Sequence, residues 1–389
     1  MPHLSDILFH LGENRERYFN AVSPPVIQSS NFVFDSLDDC RAAFADEHVN
    51  HLYTRGNNPT VQILRKKIAA LEGAEDALVF SSGSAAIAAA VMSQVRAGDH
   101  IVCVESPYSW TRILVRDLLG RFGVSHTFVD GRSVADLEAA CRDDTALLIL
   151  ESPTSLTFEL QDLRAVADFA KRRGIITCID NSCASPHFQN PLALGIDLVM
   201  HSATKYINGH SDVVVGVVAG SEAHMRRIFS DTLMTLGGIL SPHDAALVLR
   251  GLRTFELRME RCDATGRRIA EFLHQHPKIA SVNYGLLPEH PQYELARRQM
   301  RGWGGLFSFT LATDDFATCE AFFNRLNRFL LAVSWGGHES LILPSVVFYN
   351  IANKEDTPLP PNFVRLYVGL EDADWLIEDL AQALKVLPG

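Results

Sequence analysis

The stretch HSATKYINGHSD, residues 201–212, sets a lysine between Ser202 and Thr204 on one side and His210, Ser211 and Asp212 on the other. Apolar LVM precedes it and VVVGVV follows, so Lys205 stands where the chain reads as buried. Lysine is ordinarily a solvated surface residue. Burial removes its solvation, lowers its pKa and makes the neutral amine a nucleophile for a carbonyl. The ordinary alternative is a lysine whose stem lies on apolar surface while its ammonium reaches water. For an isolated lysine that alternative is the better reading, and the hydroxyl-rich neighbours lower its odds here.

Three more segments offer matching chemistry. FSSGSAAI (80–87) joins an apolar strand to an alanine-rich helix. Small residues there let backbone N–H groups approach an anion at the helix N-terminus, so Ser82, Gly83 and Ser84 suit a phosphate. Taken alone, the segment reads better as a helix capped by Ser82, and it matches neither dinucleotide nor nucleoside-triphosphate fingerprints. IITCIDNS (175–182) ends a strand with Asp180, an acid suited to a protonated ring nitrogen, although a lone aspartate more often caps a turn. Tyr108 in ESPYSWT follows another strand and suits stacking on a planar ring, with core packing as its ordinary role. Together the four point to pyridoxal 5′-phosphate, which needs a lysine for its aldehyde, an acid at its pyridine nitrogen, a phosphate cup and a stacking surface.

The elements that must position these residues alternate. From about residue 60 the pattern reads helix (VQILRKKIAALEG), strand (DALVF), helix (SGSAAIAAAVMSQVRAG), strand (IVCV), helix (TRILVRDLLGRFG), strand (ALLILE), helix (LRAVADFAKRRG) and strands (IITCID, IDLVMHS). Continuously apolar strands between helices predict an α/β, doubly wound, mostly parallel sheet, with ligands beyond the carboxyl ends of its strands. After about residue 240 the texture changes. SPHDAALVLRGLRTFELRMERCDATGRRIAEFLHQHP reads as one long helix or two in tandem. LFSFTL, a helix over 316–327, VRLYVGL and a final amphipathic helix complete a smaller α+β portion. The expected organisation is an arm over 1–50 that includes extended SPPVIQSSNF, a cofactor-binding large domain over 51–240 and a C-terminal domain over 241–389. ANKEDTPLPPNF (352–363) is the clearest loop.

The chain's 389 residues are 47% hydrophobic and 21% charged, which is globular. The net charge of −11 carries no basic cluster, which argues against a nucleic-acid partner. No apolar run is long enough for a membrane helix, and MPHLSDILFHLGENRERYF is not expected to act as a secretory signal. Seven scattered cysteines form no CxxC pair, so neither a metal site nor a disulfide framework is expected, and a reducing cytoplasm is the expected location.

SATKYINGHSDVVVG resembles the lysine segment of the Cys/Met-metabolism family of pyridoxal-phosphate enzymes. YTRGNNPT, SSGSAA, ESPTS, IDNS, SWGGHESL and VRLYVGLED follow that family's order and spacing from about residue 20 to 385. The resemblance implies fold type I, the aspartate-aminotransferase-like fold. It implies that Lys205 bonds the cofactor and shuttles protons, that Asp180 holds the pyridine nitrogen protonated, and that Gly83, Ser84, Ser202 and Thr204 bind phosphate. Tyr108 stacks on the ring and, as a catalytic residue beside Lys205, assists the exchange of the lysine for the substrate amine. Tyr53 and Arg55 reach the phosphate of a neighbouring subunit, so the expected partner is a second copy, in a homotetramer built as a dimer of dimers. Arg365 grips the carboxylate of a sulfur-containing amino-acid substrate, near Ser155 and Ser334.

Within the family, Trp335 in SWGG, Ser155–Leu156 in place of Asn-Pro, and the absence of paired glycines after the stacking tyrosine resemble the bacterial cystathionine β-lyase branch. The leading expectation is therefore β-elimination, taking L-cystathionine to L-homocysteine, pyruvate and ammonia. The alternatives are a γ-type enzyme (cystathionine γ-synthase, cystathionine or methionine γ-lyase, or an O-acylhomoserine sulfhydrylase) and, outside catalysis, a cofactor-binding paralogue. Intact Lys205, Asp180, Tyr108 and Arg365 argue against the last. His338 departs from the β-lyase pattern and is expected to alter the thiol-side pocket.

Overall fold

Asn58 accepts a hydrogen bond from the Thr60 backbone, Pro59 fills the first helical position and Gly73 ends the element at φ +69°. These three signals delimit the helix Pro59–Glu72 that leads into the first strand. The computed structural model describes residues 2–352 and 357–388, so residues 353–356 of the loop expected over 352–363 lie outside the described residues. Strands β1 (Asp76–Phe80), β2 (His100–Val104), β3 (Ser125–Val129), β4 (Thr145–Glu151), β5 (Ile176–Asp180), β6 (Leu198–Ser202) and β7 (Gly216–Gly220) form a seven-stranded sheet in the order β1-β7-β6-β5-β4-β2-β3. β3, β2, β4, β5 and β6 run parallel, while β7 pairs antiparallel with both β6 and β1. The apolar strands thus give the expected mostly parallel sheet. β3 and β7 were not distinguished as strands in the sequence.

The apolar side chains fill two cores, and on β1 and β7 successive side chains alternate between them. Leu78 and Phe80 of β1 belong to the core that also holds the apolar faces of helices Gly83–Gln94 and Leu163–Arg173. Ala77 and Val79 point to the other core, which holds helix Pro59–Glu72. That second core also contains the tandem helices Pro242–Leu252 and Phe255–Gln275 and the apolar residues of a smaller sheet. The smaller sheet comprises β8 (Ile279–Asn283), β9 (Leu306–Leu311), β10 (Leu330–Leu331), β11 (Leu341–Pro344) and β12 (Phe363–Tyr367), in the order β10-β11-β12-β9-β8. Covered on both faces, the large sheet explains why its strands read as unbroken apolar runs.

One expected helix is broken. TRILVRDLLGRFG divides into an α-helix (Ser109–Ile113), a π turn (Leu114–Leu118) and a 3-10 turn (Leu119–Phe122). The wider π turn brings Leu114 and Leu119, five residues apart, onto the buried side. Among the described residues, no helix is long and apolar enough to cross a membrane.

Candidate active site

The carboxyl ends of β4, β5 and β6 lie side by side, with Glu151 directly opposite Asp180 in the parallel register. Asp180 is 8% exposed, and its Oδ1 accepts a hydrogen bond from the Ser182 backbone at 2.9 Å. Ser182 Oγ in turn accepts from the Ser202 backbone N–H at 2.7 Å, stitching the end of β5 to the end of β6. Against Ser202 lies the start of helix Gly83–Gln94. A Cβ on Gly83 would sit 2.8 Å from the Ser202 Cβ, so only glycine allows the helix N-terminus this close. The first backbone N–H groups of such a helix have no partner within it, which makes the junction a seat for an anion. Two hydroxyls expected at the phosphate are engaged elsewhere. Ser82 Oγ caps its own helix, accepting from Ala85 N at 3.0 Å. Thr204 Oγ1 accepts from Val215 N at 2.9 Å and donates to Val215 O at 3.1 Å. Ser84 is exposed beside them.

Lys205 follows β6. Its Nζ donates to Ser334 Oγ at 2.9 Å and lies 5.6 Å from the centre of the Trp335 ring. Burial, reinforced by the nearby Arg365 charge, lowers its pKa, while Asp180 and Cys183 act in the opposite sense. Arg365 on β12 donates from Nη2 to the Ser334 carbonyl at 2.7 Å, and burial lowers its own pKa to about 10. Ser334 therefore receives both cations, one on its hydroxyl and one on its carbonyl, from a left-handed backbone at φ +71°. Such a conformation is costly outside glycine and persists only where surrounding contacts fix it. Gly336 supplies one of them. A Cβ there would fall 2.9 Å from the Lys205 Cα, so this segment lies directly on the lysine backbone. Tyr206 packs its ring edge-on to Trp335 at 5.4 Å.

Tyr108 is 39% exposed at the end of the β2 loop, and its backbone N–H donates to Glu151 Oε2 at 2.7 Å. Ser155 Oγ lies 2.5 Å from Glu151 Oε1. Burial and then the charge of Asp180 push the Glu151 carboxyl up to about 8. Sequence reasoning passed over Glu151, Ser182 and Cys183. The signal for Glu151 was the one that singled out Asp180, an acid closing an apolar strand.

Not every expected residue joins this cluster. Tyr53 and Arg55 are both exposed, with the Arg55 guanidinium 5.8 Å over the Tyr53 ring and no hydrogen bond to the residues above among the described residues. His338 is also apart from the cluster. It pairs with Glu339 at 3.1 Å with its side chain 62% exposed, which places it at solvent rather than against the lysine.

The donor set fits pyridoxal 5′-phosphate. An amine of lowered basicity, a buried carboxylate, an exposed aromatic ring and a helix start opened by Gly83 converge at neighbouring strand ends. A sequence profile for Cys/Met metabolism PLP-dependent enzymes matches residues 5–385. L-methionine γ-lyase of Pseudomonas putida is 38% identical over 390 residues, covering 99% of this chain and 98% of its own. Cystathionine γ-lyase of Bacillus subtilis is 37% identical over 383 residues, covering 97% of this chain and 98% of its own. Among solved structures, metB from Corynebacterium glutamicum superposes with a TM-score of 0.91 at 34% identity, covering 99% of this chain and 98% of that one. The architecture is accordingly fold type I.

Proposed function

Because the chain belongs to the Cys/Met metabolism family of pyridoxal-phosphate-dependent enzymes, we propose that it is a γ-eliminating carbon–sulfur lyase acting on methionine- or cystathionine-like amino acids. Pyridoxal 5′-phosphate is its cofactor and carbon–sulfur cleavage its reaction class. The observation that carries the γ reading is near-full-length identity, at 37–38%, to relatives named for γ-elimination. When bound, the cofactor supplies an aldehyde carbon for amines and a conjugated ring that takes up negative charge.

The rest falls to residues of this chain. With lowered basicity, Lys205 Nζ is the base for the substrate Cα proton and, when the leaving group sits on Cγ, for a Cβ proton as well. Ser334 Oγ accepts the hydrogen bond that holds Nζ in place. Arg365 pairs with the substrate carboxylate, for which its forked donors are suited, beside Ser155 and Ser334. Asp180 takes the ring nitrogen, Tyr108 covers the ring, and the start of helix Gly83–Gln94, with Ser84 and Ser202, takes the phosphate, while the Thr204 hydroxyl stays with Val215. Tyr53 and Arg55 serve the site of a second copy, within a homotetramer arranged as a dimer of dimers.

A second reading, cystathionine β-lyase, is favoured by one observation. The Trp335 indole stands 5.6 Å from Lys205 Nζ and narrows the space in which the amine can travel from Cα to Cβ. β-Elimination needs only the Cα transfer. Incubation of the cofactor-loaded protein with L-cystathionine and, separately, L-methionine, followed by mass spectrometry of the keto acids, distinguishes the two. 2-Oxobutyrate from either substrate is the expected γ result. Pyruvate from cystathionine with methionine untouched transfers the assignment to β-elimination. Silence on both, with cofactor bound, removes both lyase readings for these substrates and directs attention to O-acylhomoserines.

A further inference from the structure

Glu151 is the buried acid for which the proposed chemistry has no use. It closes β4, is 3% exposed, and offers one oxygen to the backbone of Tyr108 and the other to the hydroxyl of Ser155. These contacts come from two different loops, one following β2 and the other following β4. We propose that Glu151 is a positioning residue that ties the Tyr108 backbone and the Ser155 hydroxyl to the floor of the site, and so sets both the stacking face and the substrate side. The inference rests on the reading that Tyr108 and Ser155 border the cofactor.

A merely structural acid would not need this arrangement. Buried carboxyls are costly unless paired with a cation or protonated, and among the described residues no cation pairs with Glu151. The groups around it are the carboxylate of Asp180 on β5, the thiol of Cys103 on β2 and the thiol of Cys183 beyond β5. Burial first, and then the Asp180 charge, disfavours a second negative charge here, while the two thiols are neutral and offer no compensating cation. In its neutral form Glu151 has one proton to donate. The Tyr108 N–H is a donor already, so the proton goes to Ser155 Oγ, 2.5 Å away. The Ser155 hydroxyl hydrogen is then released from Glu151 and turns towards the substrate side. One carboxyl thus fixes the height of the aromatic platform and the direction of a hydroxyl.

The test compares E151Q and E151L with the wild-type protein, each stripped of cofactor and titrated with pyridoxal 5′-phosphate. Three quantities are followed: visible circular dichroism of the bound cofactor, its dissociation constant, and the pH profiles of kcat and kcat/KM. The glutamine amide keeps an acceptor for Tyr108 N–H and supplies a permanent donor for Ser155, so E151Q should retain the dichroic band and turn over within about threefold of wild type. E151L supplies neither, and should weaken the band and lower kcat by roughly tenfold or more. An E151L protein with the wild-type band, affinity and pH profile overturns the inference, as does an E151Q protein no better than E151L. Should E151L not fold, S155A decides. Adding E151Q to S155A is expected to change the pH profile no further, and an additive change overturns the Ser155 half of the assignment. A wild-type protein that shows no visible band overturns the cofactor reading and this inference together, whereas a normal wild-type band unchanged in E151L overturns this inference alone.

Discussion

Lys205 and Glu151 illustrate the same physics from opposite signs. Burial strips an ammonium of solvation and favours the free amine, and strips a carboxylate and favours the acid. In both residues the neutral form is the one the site can use: a base at Lys205, a donor at Glu151. The consequence for stability has a definite sign. A carboxyl whose pKa rises on folding, from 4.5 to about 8, contributes fully to stability below the lower value and loses that contribution as pH climbs through the upper one. E151Q has no proton to lose. The thermal midpoint of cofactor-free E151Q should therefore gain on wild type steadily between about pH 5 and about pH 8.5, with the difference smallest at the acidic end. Unfolding scans by far-ultraviolet circular dichroism across that range check it. A difference that stays flat across that range would mean that Glu151 is ionised in the folded protein throughout it.

At the scale of the element, the decisive contact is between the first turn of helix Gly83–Gln94 and the end of β6. Two glycines make it possible: Gly83, whose Cβ would press on Ser202, and Gly216, whose Cβ would lie 2.0 Å from the Ser82 carbonyl. G83A should force the helix start away from Ser202, destabilising the protein by about 1–3 kcal/mol. It should also weaken pyridoxal-phosphate binding more than it slows turnover at saturating cofactor. Denaturant melts of the cofactor-free protein combined with a cofactor titration separate the two effects. Unchanged affinity would remove the helix start from the phosphate site. This junction also marks what the sequence made legible. The glycine–serine turn, the strand-ending Asp180 and the lysine after β6 announced themselves because local residue types meet local backbone needs. Glu151 stayed hidden within ALLILE, because its partners, Tyr108 and Ser155, lie on separate loops that only the parallel pairing of β2 with β4 brings together. β7 was missed for a related reason: VVVGVV resembles a continuation of the lysine segment until its antiparallel pairing with β1 and β6 is seen. Thr204 shows the converse. The motif marks it for the phosphate, whereas its hydroxyl is fully occupied by Val215.

The whole molecule raises the question of what the arm is for. Its first helix, Leu4–Phe9, is anchored on its own chain. Lys67 Nζ donates to the carbonyls of Ile7 and Leu8 at 2.9 and 3.1 Å and pairs with buried Glu13 at 3.2 Å. Beyond that anchor the character changes. Phe19, Val33 and Phe44 are exposed at 101%, 93% and 71%, an apolar display that globular chains normally cover. Tyr53 and Arg55 end the same exposed tract, away from the hydrogen-bonded cluster around Lys205. A second copy seated on this surface would cover the apolar residues and receive Arg55 at its own phosphate seat. Sharing of that kind has a signature that a self-contained site lacks. R55A and K205A should each be nearly inactive alone. Co-expressed, they should form mixed dimers in which one site draws its lysine from the first chain and its arginine from the second, and is intact, while the other site carries both lesions. Random pairing in a two-fold dimer then restores about a quarter of the wild-type activity per site. Assays on the unselected oligomer, with the two chains expressed in equal amounts, measure it. Full activity of R55A alone would take Arg55 out of the site, and no recovery in the mixed oligomer would place every essential residue within a single chain.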